Sequence, residues 1–219
     1  MKTSPLDFLF SGLSITFLLF ISLVTAFVFS VDSKYGVIFD IVFFLISYGV
    51  YTGLFLMFLR RLNPYPEGVF SMDSHEFIYW KLSAVLTDLA EKVLRPFNTV
   101  FTQALIYKIL GAEVGKSPAF AGTIRDFPLI SLGDFCTVGQ NSVITAHIIS
   151  GNKIVLKRIA IGERAVVGIN CVVMPGVTMG AGAVLAPGAV ATTGTNIPAG
   201  ELWGGIPARK IKSLDSDSA

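Results

Sequence analysis

Between residues 161 and 198 the chain repeats every six residues, and few folds accept such a period. Aliphatic or small side chains recur at Ile161, Val167, Val173, Met179, Leu185, Ala191 and Ile197. The next position is small or turn-forming at Gly162, Gly168, Gly180, Ala186, Thr192 and Pro198, with Met174 the exception. Four residues after each aliphatic stands a second modest side chain: Ala165, Cys171, Val177, Ala183, Ala189 and Thr195. An α-helix needs apolar positions spaced by about 3.6 and tolerates little glycine, while a half-buried strand alternates by two. A six-residue period therefore specifies a solenoid of short strands joined by tight turns, one aliphatic per strand stacked inside. The small partner fits a narrow interior, and Gly or Asn supplies the corner.

The phase continues backwards with defects. Leu132, Val138 and Ile144 keep the spacing, with Cys136 and Ser142 in the small slots. Val114 lies eighteen residues before Leu132, or three hexapeptides, and Phe120 falls between them. The third position of that first coil is Asp126-Phe127, which breaks the pattern, so the segment Arg-Asp-Phe-Pro is expected to bulge outward. From Ile144 to Ile161 is seventeen residues, one short of a whole coil, so the register is expected to reset across 146–158. That stretch carries His147, and a regular coil that breaks phase around one histidine is a place to look for chemistry.

Composition matters for the region before the repeats. The chain is 53% apolar with 18 Phe, and most of the excess sits in the first sixty residues. Residues 8–31 carry no charge over 24 positions, more than the roughly 20 needed to cross a hydrocarbon core. Residues 41–59 form a second uncharged stretch of 19, followed by Arg60-Arg61. A signal peptide has a shorter apolar region and a small-residue cleavage site after it. The pattern predicts a hairpin of two spanning helices over about 8–31 and 38–59 within residues 1–62. Lys2 and Arg60-Arg61 flank the hairpin while its loop is neutral, so both ends and the following domain are expected in the cytoplasm. Asp40 is expected near the outer interface.

A Pro-Tyr-Pro-Glu-Gly turn at 64–68 separates this region from the rest. Residues 63–112 read as linking amphipathic helices. Asp73 and Glu76 suggest a capping box, and a second helix over 98–110 ends at Gly111. Their apolar faces either cap the first coil or lie along a membrane surface. His75 reads as a solvated first-turn residue. The solenoid is expected over 113–212, with a disordered tail at 213–219. Cys136 and Cys171 occupy inward slots, which suits reduced packing residues rather than a disulfide or metal site. The net charge of +2 and the absence of a basic, aromatic-interleaved stretch argue against nucleic acid.

Residues 110–212 resemble the hexapeptide-repeat acyltransferases. The resemblance is carried by LGAEVG, TAHII, IGERAVVGINCVVMPGVTMGAGAVLAPGAV and the closing WGGIPARKI. It implies a mainly β fold, a left-handed parallel β-helix, assembled as a homotrimer, and the membrane-attached members of the superfamily are similar in the N-terminal hairpin. It also implies acetyl-coenzyme A as co-substrate and no metal. His147 matches the family's general base in sequence order and is the solenoid's single histidine. The chemistry agrees, because a hydroxyl acceptor must lose its proton as it attacks a thioester, and an imidazole can take it. By the same resemblance Gly168, Ala186, Gly204, Gly205, Pro207 and Ala208 lie along the coenzyme arm, and Arg209 and Lys210 face its phosphates. A solvated C-terminal face accounts for those two cations equally well. Asn141 and Asn170 are corner residues first and substrate contacts second. Lys153, Lys157 and Arg158 beside His147 could attract an anionic head group, though solvated loop charges are the simpler account. Soluble relatives often carry an acid beside their histidine in sequence. Here Asp134, Glu163, a neighbouring subunit or a backbone carbonyl remain as candidates to orient the ring.

These expectations add up to a membrane-anchored O- or N-acyltransferase acting on a lipid-linked glycan or similar amphiphile. The alternative is a non-catalytic trimeric scaffold in which His147 is dispensable. A carbonic anhydrase on this fold needs three histidine ligands per metal, which one solenoid histidine cannot supply within a chain. No nucleotide-binding domain precedes the coils, which disfavours a sugar nucleotidyltransferase.

Overall fold

The computed structural model of the protein describes residues 5–99 and 101–214. Lys2 and residues 215–219 of the expected tail lie outside the described residues. The chain divides into two units: Met1–Pro64 with Met72–Thr99, and Tyr65–Ser71 with Val100–Ala219. The linking stretch 63–112 is thus shared between them.

In the first unit, α1 (Pro5–Val28) and α2 (Gly36–Leu62) are long and apolar enough to cross a membrane. Their outward faces carry phenylalanines such as Phe8, Phe20 and Phe27, while Ser22, Ala26, Ser47, Gly49, Thr52 and Gly53 are buried. Small residues at such contacts let helix backbones approach closely. Buried hydroxyls are returned to their own helices: Ser22 Oγ donates to Leu18 O at 2.6 Å and Thr52 Oγ1 to Tyr48 O at 2.7 Å. Gly49 is where Leu94 of α3 (His75–Leu94) enters, since a Cβ there would lie 2.4 Å from that side chain. The N-cap of α3 is Ser74, whose Oγ accepts from Phe77 N at 3.2 Å, not the Asp73 of the expected capping box. At the loop end, Ser30 Oγ donates to Asp40 Oδ2 at 3.1 Å.

The second unit is a parallel β-solenoid of about five turns. Its three faces are sheets of five, six and four strands among the described residues. The repeat register is as read: Leu132 lies against Ile161, Ile161 against Met179, and Met179 against Ile197 on one face. The stacked aliphatics and the small slots Ala165, Cys171, Val177, Ala183 and Ala189 are all buried. Asn141 and Asn170 hold the left-handed conformation at φ 59° and 54°, which asparagine adopts more readily than other non-glycine residues. The last strand, Arg209–Ser213, turns back antiparallel on Glu201–Gly204 and so runs one residue into the expected tail.

Both defects differ from their expected form. In the first coil Ile124, not Asp126, takes the third inward position, pairing with Ile144. That corner is two residues short, and the chain regains them between Ile124 and Leu132. The regained residues hold Asp126, at φ 61°, and a 3-10 turn over Phe127–Leu129. Phe127 does not bulge into solvent; it is buried against Tyr107 of α4 (Gln103–Leu110), ring centroids 4.9 Å apart. α4 thereby covers the first coil and ends at Gly111, as read, though it starts at Gln103 rather than at 98. At the second defect no coil is shortened. Ile130 and Leu132 pair directly with Ile159 and Ile161, so consecutive coils stack normally. The surplus over a six-residue corner is a hairpin, His147–Ser150 with Lys153–Leu156.

Candidate active site

The inserted hairpin is held from both sides. The strand Gly68–Ser71 pairs antiparallel with Lys153–Leu156, making a three-stranded sheet with His147 on the opposite edge strand. Glu67 Oε1 also accepts from Arg158 N at 3.1 Å. At the hairpin's root Lys157 N donates to Ala146 O at 3.0 Å, which closes the corner under His147.

Two unrelated irregularities of the chain meet here. His147 Nδ1 lies 2.6 Å from Asp126 Oδ2, and the Asp126 side chain is only 3% exposed against 29% for the imidazole. The carboxylate comes from the coil below, from the residues regained after the short corner. A carboxylate only accepts, so Nδ1 donates and the lone pair of the neutral ring resides on Nε2. Thr145 Oγ1 lies 3.2 Å from Nδ1 and also donates to His147 O. Tyr65 Oη approaches the other Asp126 oxygen at 3.5 Å. Asp126 is the orienting group that sequence reasoning missed. Neither Asp134 nor Glu163 takes that place: Asp134 Oδ1 accepts from Lys116 N at 2.7 Å, and Glu163 pairs with Arg164.

Gly168, Ala186 and Gly204 fall into one column, each following the central strand of successive coils. A local cause already accounts for their size. A Cβ on Gly168 would lie 2.7 Å from Leu185 O, and one on Gly204 would lie 3.2 Å from Ala186 Cβ and 2.8 Å from Ile211. Gly205, Pro207 and Ala208 make the turn that follows, with Gly205 at φ 92° and Ala208 N donating to Val190 O at 2.8 Å. Arg209 is exposed, its Nη1 donating to Ala208 O at 3.1 Å. Lys210 is engaged by Glu201 at 2.5 Å. Lys210 and Trp203 both donate to the Glu201 carboxylate and hold its pKa below the usual range. Of the three cations near His147, Arg158 is paired with Glu113 at 3.2 Å, while Lys153 and Lys157 are exposed. His75 begins α3 in the first unit.

Residues 158–192 match the bacterial transferase hexapeptide (six repeats) family. Those residues lie within the solenoid, on its middle coils. Solved structures share the solenoid fold. A hexapeptide-repeat-containing acetyltransferase from Vibrio cholerae superposes with a TM-score of 0.52 at 20% identity, over 68% of this chain and 97% of the other. A maltose O-acetyltransferase from Clostridium difficile 630 gives 0.51 at 19%, over 68% and 94%. A galactoside acetyltransferase in complex with coenzyme A gives 0.50 at 17%, over 68% and 88%. Among curated proteins, the mitochondrial gamma carbonic anhydrase 1 of Arabidopsis thaliana is 27% identical over 112 residues. That alignment takes 50% of this chain and 41% of the relative, so the chain spans under half of that protein.

Proposed function

We propose that the protein is an acyl-coenzyme A-dependent acyltransferase, most simply an acetyltransferase, with His147 as general base and Asp126 as its positioning residue. The observation that carries this reading is the 2.6 Å contact between His147 Nδ1 and a nearly buried carboxylate, built where the solenoid departs from its repeat. A corner histidine of purely structural use has no need of a buried acid. The acetyltransferases that share the fold, one of them in complex with coenzyme A, support the choice of co-substrate.

The thioester supplies an activated acyl carbon. His147 Nε2 accepts the proton of the acceptor hydroxyl or amine as its oxygen or nitrogen bonds to that carbon. The carbon–sulfur bond breaks, and the imidazolium returns the proton to the departing thiolate. Asp126 keeps Nδ1 protonated and stabilises the imidazolium, which fixes Nε2 as the working atom. The column Gly168–Ala186–Gly204 and the turn at Gly205, Pro207 and Ala208 offer small side chains and backbone groups along which a coenzyme arm can lie. Arg209 fits a phosphate as it stands, whereas Lys210 must leave Glu201 to do so. Asn141 and Asn170 sit at stacked corners, joined through Asn170 N donating to Gln140 O at 2.9 Å, and serve the acceptor secondarily. Lys153 and Lys157 are the cations available to an anionic acceptor.

The resemblance to the hexapeptide-repeat acyltransferases implies a homotrimer, and the apolar α1 and α2 with Arg60-Arg61 beyond them favour attachment to a bilayer with the solenoid in the cytoplasm. The acceptor is then an amphiphile such as a lipid-linked glycan. The carbonic anhydrase similarity raises a hydratase reading, but a catalytic zinc takes three protein ligands. The solenoid has one histidine, so one chain supplies a single imidazole and the other ligands would have to come from neighbouring chains. Incubating the purified protein with acetyl-coenzyme A and a membrane lipid extract, followed by mass spectrometry, tests the proposal. It predicts acetylated lipid and free coenzyme A. Failure to bind or consume acetyl-coenzyme A with any extract favours the scaffold.

A further inference from the structure

Lys81 lies where the helical pattern of α3 gives no reason for a charge. It is 7% exposed, ion-paired to Asp7 in the first turn of α1, and its ammonium stands 4.8 Å from the centroid of the Phe77 ring. Beside the pair, α1 and α3 leave a cavity of about 420 Å³. Phe8, Gly12 and Ile15 line it from α1 and Val85 from α3, with the ion pair at one end. From Asp7 to Ile15 the groove follows α1 for about 12 Å, or two turns. Its polar end is the end of the span and its apolar end runs toward the middle. A Cβ on Gly12 would meet nothing within 4 Å, so no packing contact calls for glycine there. What the missing side chain leaves is room.

We propose that this groove binds a neutral, single-chain amphiphile with a hydroxyl head, its chain along Phe8, Gly12, Ile15 and Val85 and its head at the Lys81–Asp7 pair. A buried ion pair costs much of what it gains, so stability alone is a weak reason for placing one here. The pair is neutral overall. A hydroxyl accepts from an ammonium with three donors and donates to a carboxylate with several lone pairs. An anionic head would be placed beside Asp7, a like-charge contact that low dielectric makes severe. The inference rests on the membrane reading of α1 and is independent of acyl transfer.

The test uses the full-length protein in detergent micelles with a diazirine-bearing hexadecanol as probe, photolysed and mapped by peptide mass spectrometry. The label is expected within residues 8–15 and 81–85. Unlabelled hexadecanol should compete roughly tenfold more effectively than hexadecanoate. Gly12→Phe fills the groove and should remove this label. Asp7→Leu combined with Lys81→Met should keep it and erase the preference for the alcohol. Label spread over the lipid-facing surface, equal competition by the acid, or undiminished labelling of a helical Gly12→Phe protein would each overturn the proposal. If Gly12→Phe loses its helical circular dichroism, mapping and competition in the unaltered protein still decide. Acetylation of lipid extract by the same preparation is read separately, so an empty groove leaves the transfer reading standing.

Discussion

Asp126 and His147 are twenty-one residues apart, and no spacing rule of the repeat joins them. In an unbroken coil Asp126 would stack on Ile144; the short corner gives that slot to Ile124 and frees the acid to reach the next coil's loop. The histidine was legible because it sits at a break in phase. Its partner was not, because the two breaks had to be placed one above the other before their side chains could be connected. The available signal was an acid at the other break, in a conformation Asp tolerates. Asp126→Asn is expected to lower turnover by about 10²–10⁴-fold, since an amide can donate to Nδ1 and draw the ring into the wrong tautomer. Paired with His147→Ala it should do no further harm, because the two act as one device; a steady-state comparison of single and double variants checks this. Burial dominates at Cys136 and pushes its thiol up to about 11. Maleimide should therefore ignore Cys136 in the folded protein and label it after denaturation. The sign for stability follows: the raised thiol contributes fully below its unfolded pKa, and that contribution is lost as pH climbs through about 11. Chemical denaturation in the Cys136→Ala variant should show less loss across that alkaline range.

At the scale of elements, the six-residue period was read correctly from Ile161 to Ile197 because each coil imposes the same steric demand on every position. Gly162 shows that demand: a Cβ there would lie 2.7 Å from Ala181 N and from Gly180 C, backbone atoms with little room to yield. Gly162→Ala should lower stability by about 1–3 kcal/mol, measured by thermal melting. A melting temperature equal to that of the unaltered protein would show that the coils are not so closely stacked. The hairpin was harder to read. Seventeen residues between Ile144 and Ile161 fit a coil missing one residue almost as well as a corner with an insertion, and only the pairing of Leu132 with Ile161 decides between them. The strand Gly68–Ser71 carried no repeat at all, and its place beside the hairpin follows from backbone hydrogen bonding that composition does not encode. Lys81 was hidden for a related reason: the apolar residues of α3 define its buried face, and a lysine is found there only when a carboxylate meets it.

For the whole molecule, the sequence spoke through charge and hydropathy. On the proposed reading, in which α1 and α2 cross a membrane, Arg60-Arg61 favour a hairpin loop outside and a solenoid inside under the positive-inside rule. Ser33→Cys should react with an impermeant maleimide in intact cells, and Ser150→Cys should react only after lysis, against a background of two buried native cysteines. Reaction of Ser150→Cys from outside would reverse the orientation. The most direct measurement is acetyl transfer from acetyl-coenzyme A to membrane lipid by the purified protein and by His147→Ala. If His147 is the base, the variant keeps its fold and its acetyl-coenzyme A affinity while turnover falls by about 10²–10⁴-fold. An active parent whose His147→Ala variant transfers acetyl groups at the same rate would contradict it.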